Sequence, residues 1–379
     1  MLARPPGRVL ILASGVPCPP ATSDRPGEPT IGPMMLPTVQ PLDPRAAAAA
    51  RELQDRLTKP RGALGQLEDL SVQLCAIAGI CPAPVPTPAA IAVFAGDHGV
   101  VNAGVTPWPQ EVTAQMVADF AAGGAAISVL ARQHRARLVV VDVAVATEVI
   151  ADPNVWVRKV RAGTANLAEG PAMTVAEAEQ CVAVGLEVAR QLVADGAACL
   201  VTGEMGIGNT TAAAAVIAAL TGTAPATCTG RGTGIDDATL VRKITVIERA
   251  LTRLPSDASA ERVLQEVGGC EIGALAGFII GAAAARIPVV VDGVIALAGL
   301  LLADRLAPGS AAYAIAGHRS TEPGATVALE AMGLIPLVDL GMRLGEGSGA
   351  ALALPIVESA ARLLAEMATF DSAGVSDKE

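Results

Sequence analysis

What most constrains this chain is a recurring kind of short apolar run, nearly free of polar residues, that closes on Gly, Asp or Glu and is followed by a segment with helical spacing. The runs are IAVFA (91–95), LVVVDV (138–143), ACLVT (198–202), PVVV (288–291), AYAIA (312–316) and IPLVD (335–339). A strand with one wet face alternates polar and apolar residues. Runs this uniform must be covered on both faces, which is the condition of a parallel sheet with helices above and below. Ligands of such sheets sit at the carboxyl ends of the strands, so polar clusters just after these runs are where chemistry is expected.

The building material agrees. Hydrophobic residues make up 52 % of the 379-residue chain, but aromatic residues only 2 %. A core of Ala, Val, Leu and Ile needs close backbone approach, which helices on a sheet provide. The net charge of -10 opposes binding to polyphosphate backbones, so nucleic acid is not an expected partner. The seven cysteines are odd in number and form no CxxC, a pattern of reduced thiols in a cytoplasmic protein. His98, His134 and His318 make no HxH or HxxxH pair, so neither a metal nor a cofactor is expected.

Residues 1–44 are proline-dense and lack apolar periodicity, which predicts an unpacked extension. Arg4 and Arg8 precede the short apolar stretch 9–16, but Pro17, Pro19 and Pro20 spoil a signal-peptide cleavage region. The long apolar run 272–303 is interrupted by Arg286, Pro288, Asp292 and Gly293. It reads as a buried helix feeding a buried strand, and no membrane partner is expected.

Five polar clusters follow the apolar runs. Gly96-Asp97-His98-Gly99 reads either as a tight turn or as part of a pocket wall; adjacency of Asp and His implies no catalytic dyad. In 203–211 (GEMGIGNTT), three glycines lie between strand and helix, with Asn209 or Thr210 able to cap the helix. Such a turn suits phosphate or ribose, although a plain connector fits too. In 230–237 (GRGTGIDD) the glycine spacing imitates a dinucleotide fingerprint without the required preceding strand. Lys243 follows it, a rare cation in a chain whose other lysines are Lys59, Lys159 and Lys378. The fourth cluster is 317–324 (GHRSTEPG). The last is 343–349, where Glu346 stands between two glycines at the end of a run and ahead of a helix. It is either a general base beside a flat ligand or a helix cap.

Together with LTKPRGALGQLEDL (57–70), PQEVTAQMV (109–117) and VDGV (291–294), these clusters, in this order across residues 45–371, resemble the nicotinate-nucleotide–dimethylbenzimidazole phosphoribosyltransferases, which build the lower ligand of cobamides. The resemblance implies a doubly wound, mainly parallel, Rossmann-like α/β domain over 81–348. It also implies a small helical domain from both chain ends (45–80 with 349–371) and a homodimer. Carried over residue by residue, it implies Glu346 as catalytic base. Glu204, Gly206, Asn209, Lys243, Gly293, Ser320 and Arg343 would bind the phosphoribosyl group, and Trp108, Gln115, Met116 and Leu344 the acceptor base. Trp108 and Met116 depart from members with a small polar residue and a Gln there, which bears on which base is accepted. The implied substrates are nicotinate mononucleotide and dimethylbenzimidazole or a related base. An NAD(P)-dependent oxidoreductase and a non-catalytic nucleotide-binding protein are the competing readings.

Overall fold

The computed structural model describes residues 35–376. Residues 1–34, which hold most of the proline-dense segment and the apolar stretch 9–16, lie outside the described residues. Six strands form one parallel sheet: β1 (Ala89–Gly96), β2 (Arg137–Ala144), β3 (Val155–Val157), β4 (Cys199–Met205), β5 (Val289–Val291) and β6 (Ala314–Ala316), in the order β3-β2-β1-β4-β5-β6. The chain starts at the centre with β1, winds outward to β3, then returns to β4 and winds the other way. The reversal opens a crevice at the carboxyl ends of β1 and β4, and Phe94 pairs with Glu204 at its edge. All eight residues of β1 are buried, as uniform apolar runs require.

Two strand expectations need correction. Residues 335–339 form no strand; Val338 makes only an isolated bridge with His318. Pro336 has no N–H to give a ladder, and Ile335 is 71 % exposed, so pairing stops after one register position. Conversely, β3 (VWV) has no long apolar run. It is an edge strand whose Trp156 ring meets the guanidiniums of Arg137 and Arg158, at 5.5 and 5.8 Å.

Small residues let the helices close on one another. Helices Val175–Ala194 and Cys270–Ala284 pack tightly because Gly185 and Gly277 leave out side chains: a Cβ on either would stand 1.9 Å from a carbonyl oxygen of the other helix. This is how a core with few aromatics reaches native density. The run 272–303 is helix Cys270–Ala284, β5 and the buried helix Val294–Leu306, with Arg286 and Asp292 in the turns. Two other stretches, 111–133 and 348–366, are long and apolar enough to cross a membrane by length and composition. The first is divided at Gly123-Gly124 into helices Glu111–Ala122 and Ala126–Gln133, and the second has 56 % of its window buried.

The two ends of the described chain meet. Helices Pro44–Arg56, Gln66–Ala78 and Ser348–Glu366 pack together, and their buried side chains belong to the same core as those of β1 and β4. The extension expected to lie unpacked to residue 44 is in fact packed from Val39. Val39 and Leu42 cover Ile77, Ala283 and Tyr313; the Tyr313 hydroxyl donates to the Gln40 carbonyl at 2.8 Å; Asp43 caps the first helix through Arg45 N and Ala46 N.

Candidate active site

A cavity of about 390 Å³ fills the crevice. Glu204, Gly206, Asn209, Gly293, Ser320, Arg343, Glu346, Trp108, Met116 and Leu344 line it, as do Glu322 and His318. A smaller cavity of about 50 Å³ adjoins it, walled by Gly206, Asn209, Thr210, Gly232 and Lys243, and Trp108 lines both. Gln115 is not brought to the site; it is exposed on helix Glu111–Ala122 and lines neither cavity.

The small cavity is built by two glycine loops. After β4, Gly208 takes φ +96° and itself caps helix Asn209–Thr221 without a side-chain bond, so neither Asn209 nor Thr210 is the cap that the sequence suggested. Asn209 turns its amide to the Glu204 carboxylate instead. The second loop follows the short helix Pro225–Cys228, not a strand, which removes the context of a dinucleotide fingerprint. Lys243, on helix Asp237–Leu251, is 2 % exposed and reaches back to donate to Thr210 Oγ1 at 2.8 Å and Gly230 O at 3.2 Å. It is no solvated helix lysine. Burial lowers its pKa to about 8, against the opposing charge of Glu322. A cation thus stands beside the N-terminus of helix Asn209–Thr221, where backbone N–H groups also favour an anion.

Across the large cavity, Glu346 adopts φ +67° between Gly345 at +86° and Gly347 at +94°. A left-handed glutamate is strained by roughly 1–3 kcal/mol and persists only where its surroundings over-determine it. It ends no strand, since 335–339 forms none. Nor does it cap helix Ser348–Glu366: the side chain that accepts from this helix's first turn is Asp292, through Gly347 N at 3.1 Å and Ala350 N at 3.0 Å. The Glu346 carboxylate, in a residue 6 % exposed, faces Ile127 N at 3.4 Å. Burial raises its pKa, Ile127 N opposes the rise, and the charges of Asp292 and Asp119 add to it. A carboxylate held above its ordinary range beside an apolar cavity is suited to accept a proton.

On Glu204 the effects are larger. Burial, the nearby Asp292 and Glu271, and Glu346 raise its pKa to about 8, although the Asn209 amide opposes them. The site thus favours the neutral acid form of Glu204 over its carboxylate. Gly96-Asp97-His98-Gly99 lines neither cavity: Gly96 ends β1, and Asp97 accepts from Thr113 Oγ1 at 2.6 Å and Ala146 N at 2.8 Å.

Three site residues escape sequence reasoning. Glu322 accepts from Gly232 N at 2.8 Å and holds the second loop. It lies inside a quoted motif, and its position after an apolar run was signal enough. Asp292 interrupted an apolar run and lay inside the quoted VDGV (291–294), but nothing local showed that it would reach the turn of Glu346. Glu271, the lone charge in helix Cys270–Ala284, shares a 2.8 Å hydrogen bond with His98, both side chains fully buried; a charge in so apolar a helix has to be paired.

This arrangement defines a class. A phosphoribosyltransferase family model matches residues 39–375. The nicotinate-nucleotide–dimethylbenzimidazole phosphoribosyltransferase of Salinispora tropica is 55 % identical over 355 residues, 90 % of this chain and 98 % of that one. Its counterpart from Mycobacterium avium is 51 % identical over 348 residues, 91 % and 99 % of the two chains. The crystal structure of CobT from Thermus thermophilus matches with a TM-score of 0.86 at 49 % identity, covering 88 % of this chain and all of that one. The chain belongs to the nicotinate-nucleotide–dimethylbenzimidazole phosphoribosyltransferase family.

Proposed function

We propose that this enzyme moves the phosphoribosyl group of nicotinate mononucleotide to dimethylbenzimidazole or a related base, giving α-ribazole 5′-phosphate and nicotinate for the nucleotide loop of cobalamin. The observation that carries the reading is Glu346, a buried carboxylate of raised pKa on one side of a cavity whose other side leads to the Lys243 cation and two glycine loops. The phosphate lies against Lys243 and the N–H groups at the start of helix Asn209–Thr221, with Arg343 at the rim. The acceptor base fills the apolar part of the large cavity, between Met116 and Leu344 and near Trp108.

The bond that breaks joins C1′ to the pyridinium nitrogen of nicotinate mononucleotide. Its electron pair stays on the ring, which leaves with a neutral nitrogen. The bond that forms joins C1′ to the lone-pair nitrogen of the benzimidazole, attacking the opposite face and inverting the sugar to α. As it forms, the ring's other N–H acidifies, and Glu346 within ~3 Å takes that proton. Holding rings and sugar in line supplies much of the acceleration. The enzyme works as a homodimer. An oxidoreductase reading loses its support, because the second glycine loop follows a helix and not a strand.

Incubating the protein with nicotinate mononucleotide and a panel of bases, and identifying products by mass, tests the reaction. Glu346→Gln tests the base: turnover falls by about 10²- to 10⁴-fold with little change in nucleotide affinity. Near wild-type turnover in that variant overturns the assignment.

A further inference from the structure

Asp292 lines neither cavity, yet its contacts converge on the turn that carries Glu346. It is 1 % exposed and follows the last residue of β5. Its Oδ2 accepts from Gly347 N at 3.1 Å and its Oδ1 from Ala350 N at 3.0 Å, with His318 Nε2 at 3.4 Å from the same Oδ1. Its own N–H donates to Thr202 Oγ1 at 3.0 Å, which ties it to β4. The Asp292 carboxylate thus binds the start of helix Ser348–Glu366, while its backbone N–H fixes the residue to Thr202 within β4. The residue next to the clamped Gly347 is the left-handed Glu346.

We infer that Asp292 is the positioning residue of Glu346, holding the strained 345–347 turn at the height where its carboxylate enters the cavity. This rests on the reading of Glu346 as base. Three consecutive residues at positive φ cannot keep one arrangement by their own preferences, because only the two glycines are at ease there. An external clamp selects it, and Asp292 supplies one hydrogen bond to Gly347 of the turn and one to Ala350 in the helix just beyond it. Its oxygens meet backbone N–H groups, so an acceptor-only carboxylate fits, whereas the amide of an asparagine would set one donor against another. Asp292 also acts through charge. The ionisable groups around Glu346 are Asp119 on helix Glu111–Ala122, Glu204 on β4, Asp292 after β5 and His318 after β6. Burial raises the Glu346 pKa most, and the charges of Asp292 and Asp119 add to it, so removing the Asp292 charge moves the acid limb of turnover to lower pH.

The experiment compares Asp292→Asn, Thr202→Val and Glu346→Gln, with kcat and the KM for nicotinate mononucleotide measured across pH. In Asp292→Asn, kcat falls by on the order of 10²-fold, as for a group displaced by about 1 Å. The nucleotide KM stays near wild type and the acid limb moves down. A wild-type kcat, an unmoved acid limb, or a nucleotide KM that rises as kcat falls overturns the inference, since general loosening of the fold gives the last result. If Asp292→Asn does not fold, Thr202→Val decides: it loosens Asp292 by one hydrogen bond while keeping the side-chain shape. A several-fold loss of kcat at constant KM supports the clamp, and unchanged kcat overturns it. An inactive Glu346→Gln beside an unaffected Asp292→Asn removes only the role of Asp292. An active Glu346→Gln removes the general-base reading itself.

Discussion

Gly203 of β4 lies directly against the backbone of Glu346: a Cβ on Gly203 would stand 2.5 Å from the Glu346 carbonyl oxygen and 2.9 Å from Val93 Cγ2. The central strand thereby serves as the floor on which the candidate base rests. Adding one methyl group forces the turn upward, because Val93 blocks escape along the sheet. Gly203→Ala should cost about 1–3 kcal/mol of stability, as overpacking does, and should lower kcat more than it raises the nucleotide KM. Melting temperature and steady-state kinetics on the one variant check both. Unchanged kcat with a lowered melting temperature would mean that the turn relaxes without moving the carboxylate.

Glu204 should leave a signature in stability against pH. Its folded pKa is raised from the ordinary value of 4.5 to about 8, so the native state holds a proton that the unfolded chain releases. That contribution is fully present below about 4.5 and is lost as pH rises through about 8. Glu204→Gln keeps an acceptor for the Asn209 amide and cannot ionise. Its melting temperature should therefore decline less than wild type between about pH 5 and pH 9. Parallel curves for the two proteins would refute the assignment.

Lys243 carries the complementary dependence. Its pKa is lowered to about 8, so its charge fades as pH rises through that value. The KM for nicotinate mononucleotide should climb above about pH 8 and do so less in Lys243→Met. Loss of the side chain in Lys243→Ala should weaken nucleotide binding by ~1.5–3 kcal/mol, the worth of a charge-assisted hydrogen bond. A constant KM with collapsed turnover would instead give Lys243 a part in proton transfer.

Glu322 and Arg343 grip Gly232 from its two sides, the carboxylate accepting its N–H at 2.8 Å and the guanidinium donating to its carbonyl at 2.6 Å. Glu322→Ala leaves a buried N–H unsatisfied, at a cost of about 1–3 kcal/mol. The second glycine loop should then show faster amide exchange over residues 230–236 and a higher nucleotide KM. Unaltered exchange there would show that Arg343 alone suffices to hold the loop.

Much of the architecture was legible in the residues because burial on both faces leaves a mark that local chemistry cannot hide. β1, β2 and β4 contain the uniform runs 91–95 and 138–143 and most of 198–202. Where burial is one-sided or brief the mark fades: β3 is three residues long at an edge, and 335–339 is apolar yet half-exposed and interrupted by Pro336. The glycine loops were legible too, since such backbone demands small residues.

By itself, the sequence determined the family, the parallel sheet and the end of it at which polar clusters gather, because all three follow from residues close together in the chain. The tertiary structure alone decided which of those residues act on one another. Asp292 and Gly347 are separated by 55 positions, His98 and Glu271 by 173, and Ile127 and Glu346 by 219. It also left Gln115 outside the crevice, although Gln115 lies beside the cavity-lining Met116. No local periodicity encodes such pairs. The pKa shifts of Glu204, Lys243 and Glu346 arise first from water excluded by the closed fold and then from charges distant in the chain, such as Asp292 on Glu204 and Glu346 and Glu322 on Lys243, so they exist only once the chain has folded.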